Sequence, residues 1–260
     1  MLRVSGLMIV LSAVFAPAAF AQTPEHLAAV ERAAATGWDI YEHDQAAWRG
    51  TDAMLAEIRD PRGEGLRGWI TERTAEGIQV LFLRSNGEST VAVYRALYRD
   101  GALLERGRIN QPLTAAQERI NQARLIAIAA PLPQQCAERY NSVTLPRATP
   151  GPDGADIDVY LMPAMSVTNE APFGGHFRFA VDTSAGVVRE TQRFTNSCIT
   201  LSFEPNTAGL MISQTIGETP TEIQVFESLT TRLRVNVVSQ SGHWSIDGRN
   251  VTYVEPYPAR

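Results

Sequence analysis

Residues 68–109 read GWITERTAEGIQVLFLRSNGESTVAVYRALYRDGALLERGRI, and this stretch decides the fold. Trp69 to Arg73, Ile78 to Arg84, Val91 to Tyr98 and Leu103 to Ile109 are runs rich in aliphatic, β-branched and aromatic residues. Between them stand Ala75-Glu76-Gly77, Asn86-Gly87 and Asp100-Gly101. Asn-Gly and Asp-Gly accept the positive φ angles that tight hairpins require. The spacing therefore predicts a four-stranded antiparallel meander.

Helical signals flank the meander. On its N-terminal side Thr23 is an N-cap and Pro24 a first-turn residue. Leu27, Val30, Ala34, Trp38, Tyr41, Trp48 and Leu55 recur at helical intervals and predict one apolar face, with a kink or two abutting helices at Gly37. Pro61 and Gly63, Gly65 and Gly68 end that segment. On the C-terminal side Thr114 and Gln117 form a capping-box pattern that opens a second helix through Ile128, before Pro131 and Pro133. A helix, a meander and a helix make an α+β layer pair.

Beyond a proline-rich linker around 131–152 the chain reads as strands. The linker itself holds a short strand candidate at Ser142 to Leu145, and the runs beyond it are Ile157 to Met162, His176 to Asp182, Val187 to Phe194, Gly209 to Thr215, Glu222 to Ser228, Leu233 to Val238, His243 to Ile246 and Val251 to Val254. The expected fold is thus α+β: an N-terminal helix, a four-stranded antiparallel meander and a second helix, followed by a β-rich antiparallel C-terminal half. The expected division is 1–21, 22–133 and 134–260.

Met1 to Ala21 reads as a secretory signal peptide. Arg3 supplies the positive start, Val4 to Phe15 an apolar run too short to span a bilayer, and Ala19-Phe20-Ala21 a small-x-small cleavage site. The expected location is periplasmic or secreted, with about 239 residues in the mature chain and no membrane span in it. In that compartment Cys136 and Cys198, the only two cysteines, are expected to pair.

Composition excludes several chemistries. A net charge of −5 argues against nucleic acid as a partner. All 23 basic residues are arginine, so a lysine Schiff base, an S-x-x-K acylase and a P-loop lysine are excluded. Gly63-x-Gly65-x-x-Gly68 has dinucleotide-binding spacing but follows a helix and opens a strand, the reverse of what pyrophosphate binding needs. The four histidines form no metal-binding pattern, and no metal or other cofactor is expected.

Two constellations remain. Asp44 and Asp52 lie beside the apolar stripe of the first helix, where carboxyl groups near aromatic rings either cap backbone amides or have raised pKa values. Gly174-Gly175-His176-Phe177-Arg178-Phe179 places His176 and Arg178 on one strand face and Phe177 and Phe179 on the other. With Arg189 or Arg193 from the returning strand, His176 and Arg178 are candidates for holding a small anionic ligand.

The residues Asp44-Gln45-Ala46-Ala47-Trp48 with Thr51-Asp52, the Gly174 to Phe179 run, Phe194 to Cys198 and Pro220 to Phe226 together resemble a family of uncharacterised secreted and periplasmic proteins of GC-rich Gram-negative bacteria. The resemblance implies the location and brings no activity, substrate or cofactor. Three functions stay open from sequence. The first is a non-catalytic binding or envelope-associated module. The second is a periplasmic hydrolase pairing His176 or His243 with Asp44 or Asp52. The third is a chaperone-like or inhibitor protein that binds an envelope protein.

Overall fold

The computed structural model describes residues 22–85, 87, 89–164 and 167–256. The signal-peptide reading of Met1 to Ala21 and Asn86 of the second hairpin turn lie outside the described residues.

The first helix, α1 (Pro24–Glu57), is 34 residues long, and Thr23 Oγ1 accepts the His26 N–H at 3.1 Å to cap it. The helix runs through Gly37 as one element, which corrects the expectation of two abutting helices. The apolar stripe is also rotated from the expected one. Val30, Ala33, Gly37, Ile40, Ala47 and Met54 are buried, whereas Leu27, Trp48 and Leu55 are exposed. The two differ because Ala and Gly carry the contact face where other elements approach closely, and hydropathy alone follows the larger side chains.

Next come β1 (Leu66–Thr74), β2 (Gly77–Ser85), β3 (Thr90–Arg99) and β4 (Ala102–Pro112), paired antiparallel in the order β1-β2-β3-β4. This is the meander expected from 68–109. Gly63 and Gly65 lie in the connector between α1 and β1, whereas Gly68 lies in β1, at the register shift that follows Leu66. β4 is an edge strand, but bulges at Ala92/Tyr94 and Leu97/Tyr98 and the charges of Glu105, Arg106 and Arg108 blunt it against pairing with another chain. The second helix, α2 (Ala115–Ala129), carries the expected reciprocal capping box of Thr114 and Gln117.

The remainder holds β5 (Tyr140–Pro146), β6 (Ile157–Pro163), β7 (Glu170–Pro172), β8 (Phe177–Asp182), β9 (Val187–Arg193), β10 (Thr200–Ser202) and β11 (Gly209–Ser213). After these come α3 (Glu222–Thr231), β12 (Arg234–Ser239), β13 (Gly242–Asp247) and β14 (Asn250–Glu255). One sheet has the order β5-β6-β8-β9, another β11-β12-β13-β14, and β7 pairs with β10. The pairings are antiparallel except β11 with β12, which run parallel.

The expected strand at Glu222 to Ser228 is instead α3. A parallel pair needs a crossover connection, and the segment between β11 and β12 supplies it as a helix. Thr221 and Gln224 form its capping box, a local helix-start signal that the alternating Ile-Gln-Val pattern masked.

Four packed clusters join these elements. α2 is sandwiched between the meander and the β5-β6-β8-β9 sheet, with Ile120, Ala123 and Ala127 against Ile70, Leu83, Val159 and Phe179. The other meander face receives Ala46, Met54 and Ile58 from the end of α1. Val30, near the start of α1, joins Val225 of α3 and the β11-β14 sheet. Ile40, midway along α1, meets Tyr160, Phe194, Ile223 and Phe226. A helix of this length spans about 51 Å, and α1 uses it to reach three of the four clusters.

Cys136 and Cys198 are bonded, with Cα atoms 5.3 Å apart. Among the described residues no helix is long and apolar enough to cross a membrane.

Candidate functional site

α1 and α3 cross where Gly37 removes a side chain. A Cβ at residue 37 would stand 2.7 Å from both Val225 Cβ and the Glu222 carbonyl oxygen. Beyond this crossing the helices, the ends of β5 and β6 and the loop entering β7 enclose a cleft of about 690 Å³. Tyr41, Asp44, Gln45 and Trp48 enter it from α1, three or four residues apart and so on one helical face. Phe226, Glu227 and Thr230 enter it from α3. Trp69, Asn141, Ser142 and Glu170 contribute from β1, β5 and β7. Apolar and aromatic walls with a few convergent polar groups are the ordinary composition of a ligand site.

The polar floor joins α1 and α3 and is backed by the turn that carries His176. Glu227 is buried, its side chain 1% exposed, and its Oε1 lies 3.4 Å from His176 Nε2, equally buried. The second carboxylate oxygen, Oε2, has no hydrogen-bond partner, and neither does Thr230 Oγ1. Burial raises the Glu227 carboxyl above its ordinary pKa, and the adjacent His176 lowers it in part. Asp44 is pushed up to about 7, first by burial and then by the charge of Glu227. Some of the Asp44 surface remains open to the cleft, and among the described residues its carboxyl has no hydrogen-bond or ion-pair partner.

His176 reaches Glu227 because of the two residues before it. A Cβ on Gly174 would stand 2.2 Å from the Ser197 carbonyl oxygen, and one on Gly175 would stand 2.4 Å from Cys136 Cβ. Gly175 also has φ +86°, a conformation that side chains disfavour. The turn is thus pressed against the disulfide. His176 leaves it buried, with its ring edge-on to Phe226 at a centroid distance of 6.4 Å.

The other sequence candidates lie elsewhere. Asp52 is exposed and does not line the cleft. Arg178 donates to Glu190 at 3.1 Å and has Asp158 at 4.0 Å, while Arg189 donates to Asp182 at 2.7 Å. Arg193 is exposed on β9, opposite Phe177 in register. These arginines therefore do not gather around His176.

His43, next to Asp44 in sequence, faces the opposite way. It shares a 2.7 Å hydrogen bond with Thr71 of the meander, and burial with the nearby charge of Arg73 lowers it to about 3. Among the described residues no three His, Cys, Asp or Glu side chains converge in a way that could hold a metal ion. Glu227 is the site residue that sequence reading missed, because a strand assignment for 222–228 hid its place on a helix. The Thr221-x-x-Gln224 capping box was the signal that could have found it.

Compared with known proteins, the chain matches no protein-family model, no curated protein and no solved structure. The site must therefore be read from its own chemistry.

Proposed function

We propose that this is a secreted, envelope-associated binding protein that takes a small ligand into the cleft between α1 and α3. The observation that carries the reading is the pairing of an aromatic-lined hollow with two carboxyl groups at its floor, Asp44, which has no partner among the described residues, and Glu227, whose Oε2 has none. Unsatisfied buried polar groups are costly, and a ligand that supplies the missing contacts recovers that cost. The secreted location is supported by the signal-peptide reading of Met1 to Ala21 and by the Cys136–Cys198 bond.

A thermal-shift and tryptophan-fluorescence screen of the protein against a chemically diverse small-molecule library tests this reading. Ligands that raise the melting temperature should perturb a signal that Trp48→Phe removes. A library without a hit at the cleft overturns it.

A second reading, an acid–base hydrolase, is favoured by one feature: a carboxyl poised near 7 and open to the cleft suits a general acid. Asp44 would be the catalytic group. His176, which does not line the cleft, would act only through Glu227, as a positioning residue. Turnover of ester, amide or glycoside probes that Asp44→Asn abolishes at unchanged melting temperature would establish it.

A further inference from the structure

If the cleft is the ligand site proposed above, its lining also sets the charge of the ligand. Among the described residues three carboxyl groups line it, Asp44, Glu170 and Glu227, against one cation, Arg232. Arg232 sits exposed at the C-cap of α3. No lysine exists in the chain to reach in with a flexible ammonium. The internal partner of Glu227 is His176, which stands behind it at Oε1 and leaves Oε2 unpaired. Thr230 Oγ1, one helical turn further along α3, is an unpaired acceptor on the same lining.

These acceptors call for hydrogen-bond donors. The strongest donors to a desolvated carboxylate carry positive charge. A carboxylate or phosphate ligand would instead meet three acidic side chains that offer it acceptors rather than donors. The walls agree with the floor, because Tyr41, Trp48, Trp69 and Phe226 line the same hollow. Aromatic rings attract cations through their quadrupoles and also cover an apolar body.

We propose that the cleft binds a primary ammonium ion carried on a short apolar or aromatic body, with Asp44 and Glu227 Oε2 accepting its N–H groups. A primary ammonium has three donors, which suits an open carboxyl, a buried free oxygen and a hydroxyl. His176 is then a positioning residue that holds the far oxygen of Glu227. The small anionic ligand expected from the arginines of β8 and β9 does not suit this floor.

The experiment is a calorimetric titration of the disulfide-intact mature protein at pH 8 with benzylammonium, benzyl alcohol and benzoate. These probes share one ring and differ in charge. Benzylammonium is expected to bind at least about tenfold more tightly than benzyl alcohol, and benzoate not to bind. Asp44→Asn and Glu227→Gln should each weaken benzylammonium about tenfold and leave benzyl alcohol unchanged, while Trp48→Ala, on the exposed rim, weakens both.

Equal affinity for the alcohol, a preference for benzoate, or indifference to both acidic substitutions overturns the ammonium assignment and leaves the cleft a ligand site. If none of the three binds while the library screen finds a cleft ligand of another class, the ammonium assignment falls alone. If neither finds a ligand, both readings fall. Should a variant fail to fold, the charge series on the unaltered protein decides by itself.

Discussion

Asp44 shows how much one side chain's surroundings add to its identity. Its carboxyl is raised from 3.8 to about 7, so the folded protein holds this proton more tightly than the unfolded chain does. The associated stability is complete below pH 4 and lost as pH rises through 7. Asp44→Asn should therefore unfold at higher urea concentration than the natural protein at pH 8, with the advantage gone at pH 4. The difference between the two pH values should reach at most roughly 4 kcal/mol, less to the extent that cleft water screens the carboxyl. A pH-independent difference would place Asp44 in ordinary solvent. Asp44 and His176 were both legible in the sequence, one flanked by aromatic residues and the other preceded by two glycines. Their common link was not, because Glu227 joins them across elements far apart in the chain. Arg178 and Arg193 looked like a cationic patch only while their acidic neighbours and their register were unseen.

At the scale of elements, the contact between α1 and α3 sets the shape of the cleft. Alanine is the better helix former, and at an open helical site Gly→Ala gains about 1 kcal/mol. At Gly37 the added Cβ would stand 2.7 Å from Val225 Cβ and from the Glu222 carbonyl. Backbone and a β-carbon cannot yield as a flexible side-chain end can, so overpacking outweighs propensity. Gly37→Ala should destabilise by about 1–3 kcal/mol in chemical denaturation and weaken any cleft ligand, whereas exposed Ala35→Gly should cost only about 1 kcal/mol. The disulfide is a second such contact. Cys136 and Cys198 are 62 residues apart, and opening that loop in the Cys136→Ala/Cys198→Ala pair should cost roughly 4 kcal/mol. It should also free the Gly174-Gly175 turn, so a cleft ligand should bind more weakly to the double variant even where it remains folded. The meander and α2 were readable because hairpin turns and a capping box are local. α3 was not, because three apolar residues in seven fit a short strand as well as a helix, and only its neighbours β11 and β12 decide between them.

At the scale of the whole molecule, α1 contributes residues to three of the four packed clusters, and the fourth joins the meander to the β5-β6-β8-β9 sheet through α2. Three of these clusters hold residues from both sides of residue 133. The expected result is a single calorimetric transition with agreement between calorimetric and van't Hoff enthalpies. Ile40→Ala, at the middle of the spine, should lower stability by about 2–5 kcal/mol and shift the whole transition. Two resolved transitions would show that the N-terminal and β-rich parts unfold independently.

The sequence by itself determined what rests on short-range physics: the meander from its turns, both flanking helices from their caps, and the pool of available chemistries from the missing lysines and the paired cysteines. Tertiary structure alone decided which face of α1 is buried, that residues 222–231 are helical, and that Asp44 and Glu227 share one floor with His176 buried behind it. Those outcomes depend on contacts between residues far apart in the chain. Whether a helical face is buried and whether a carboxyl is short of a partner are properties of what stands opposite it, and local composition does not contain that information.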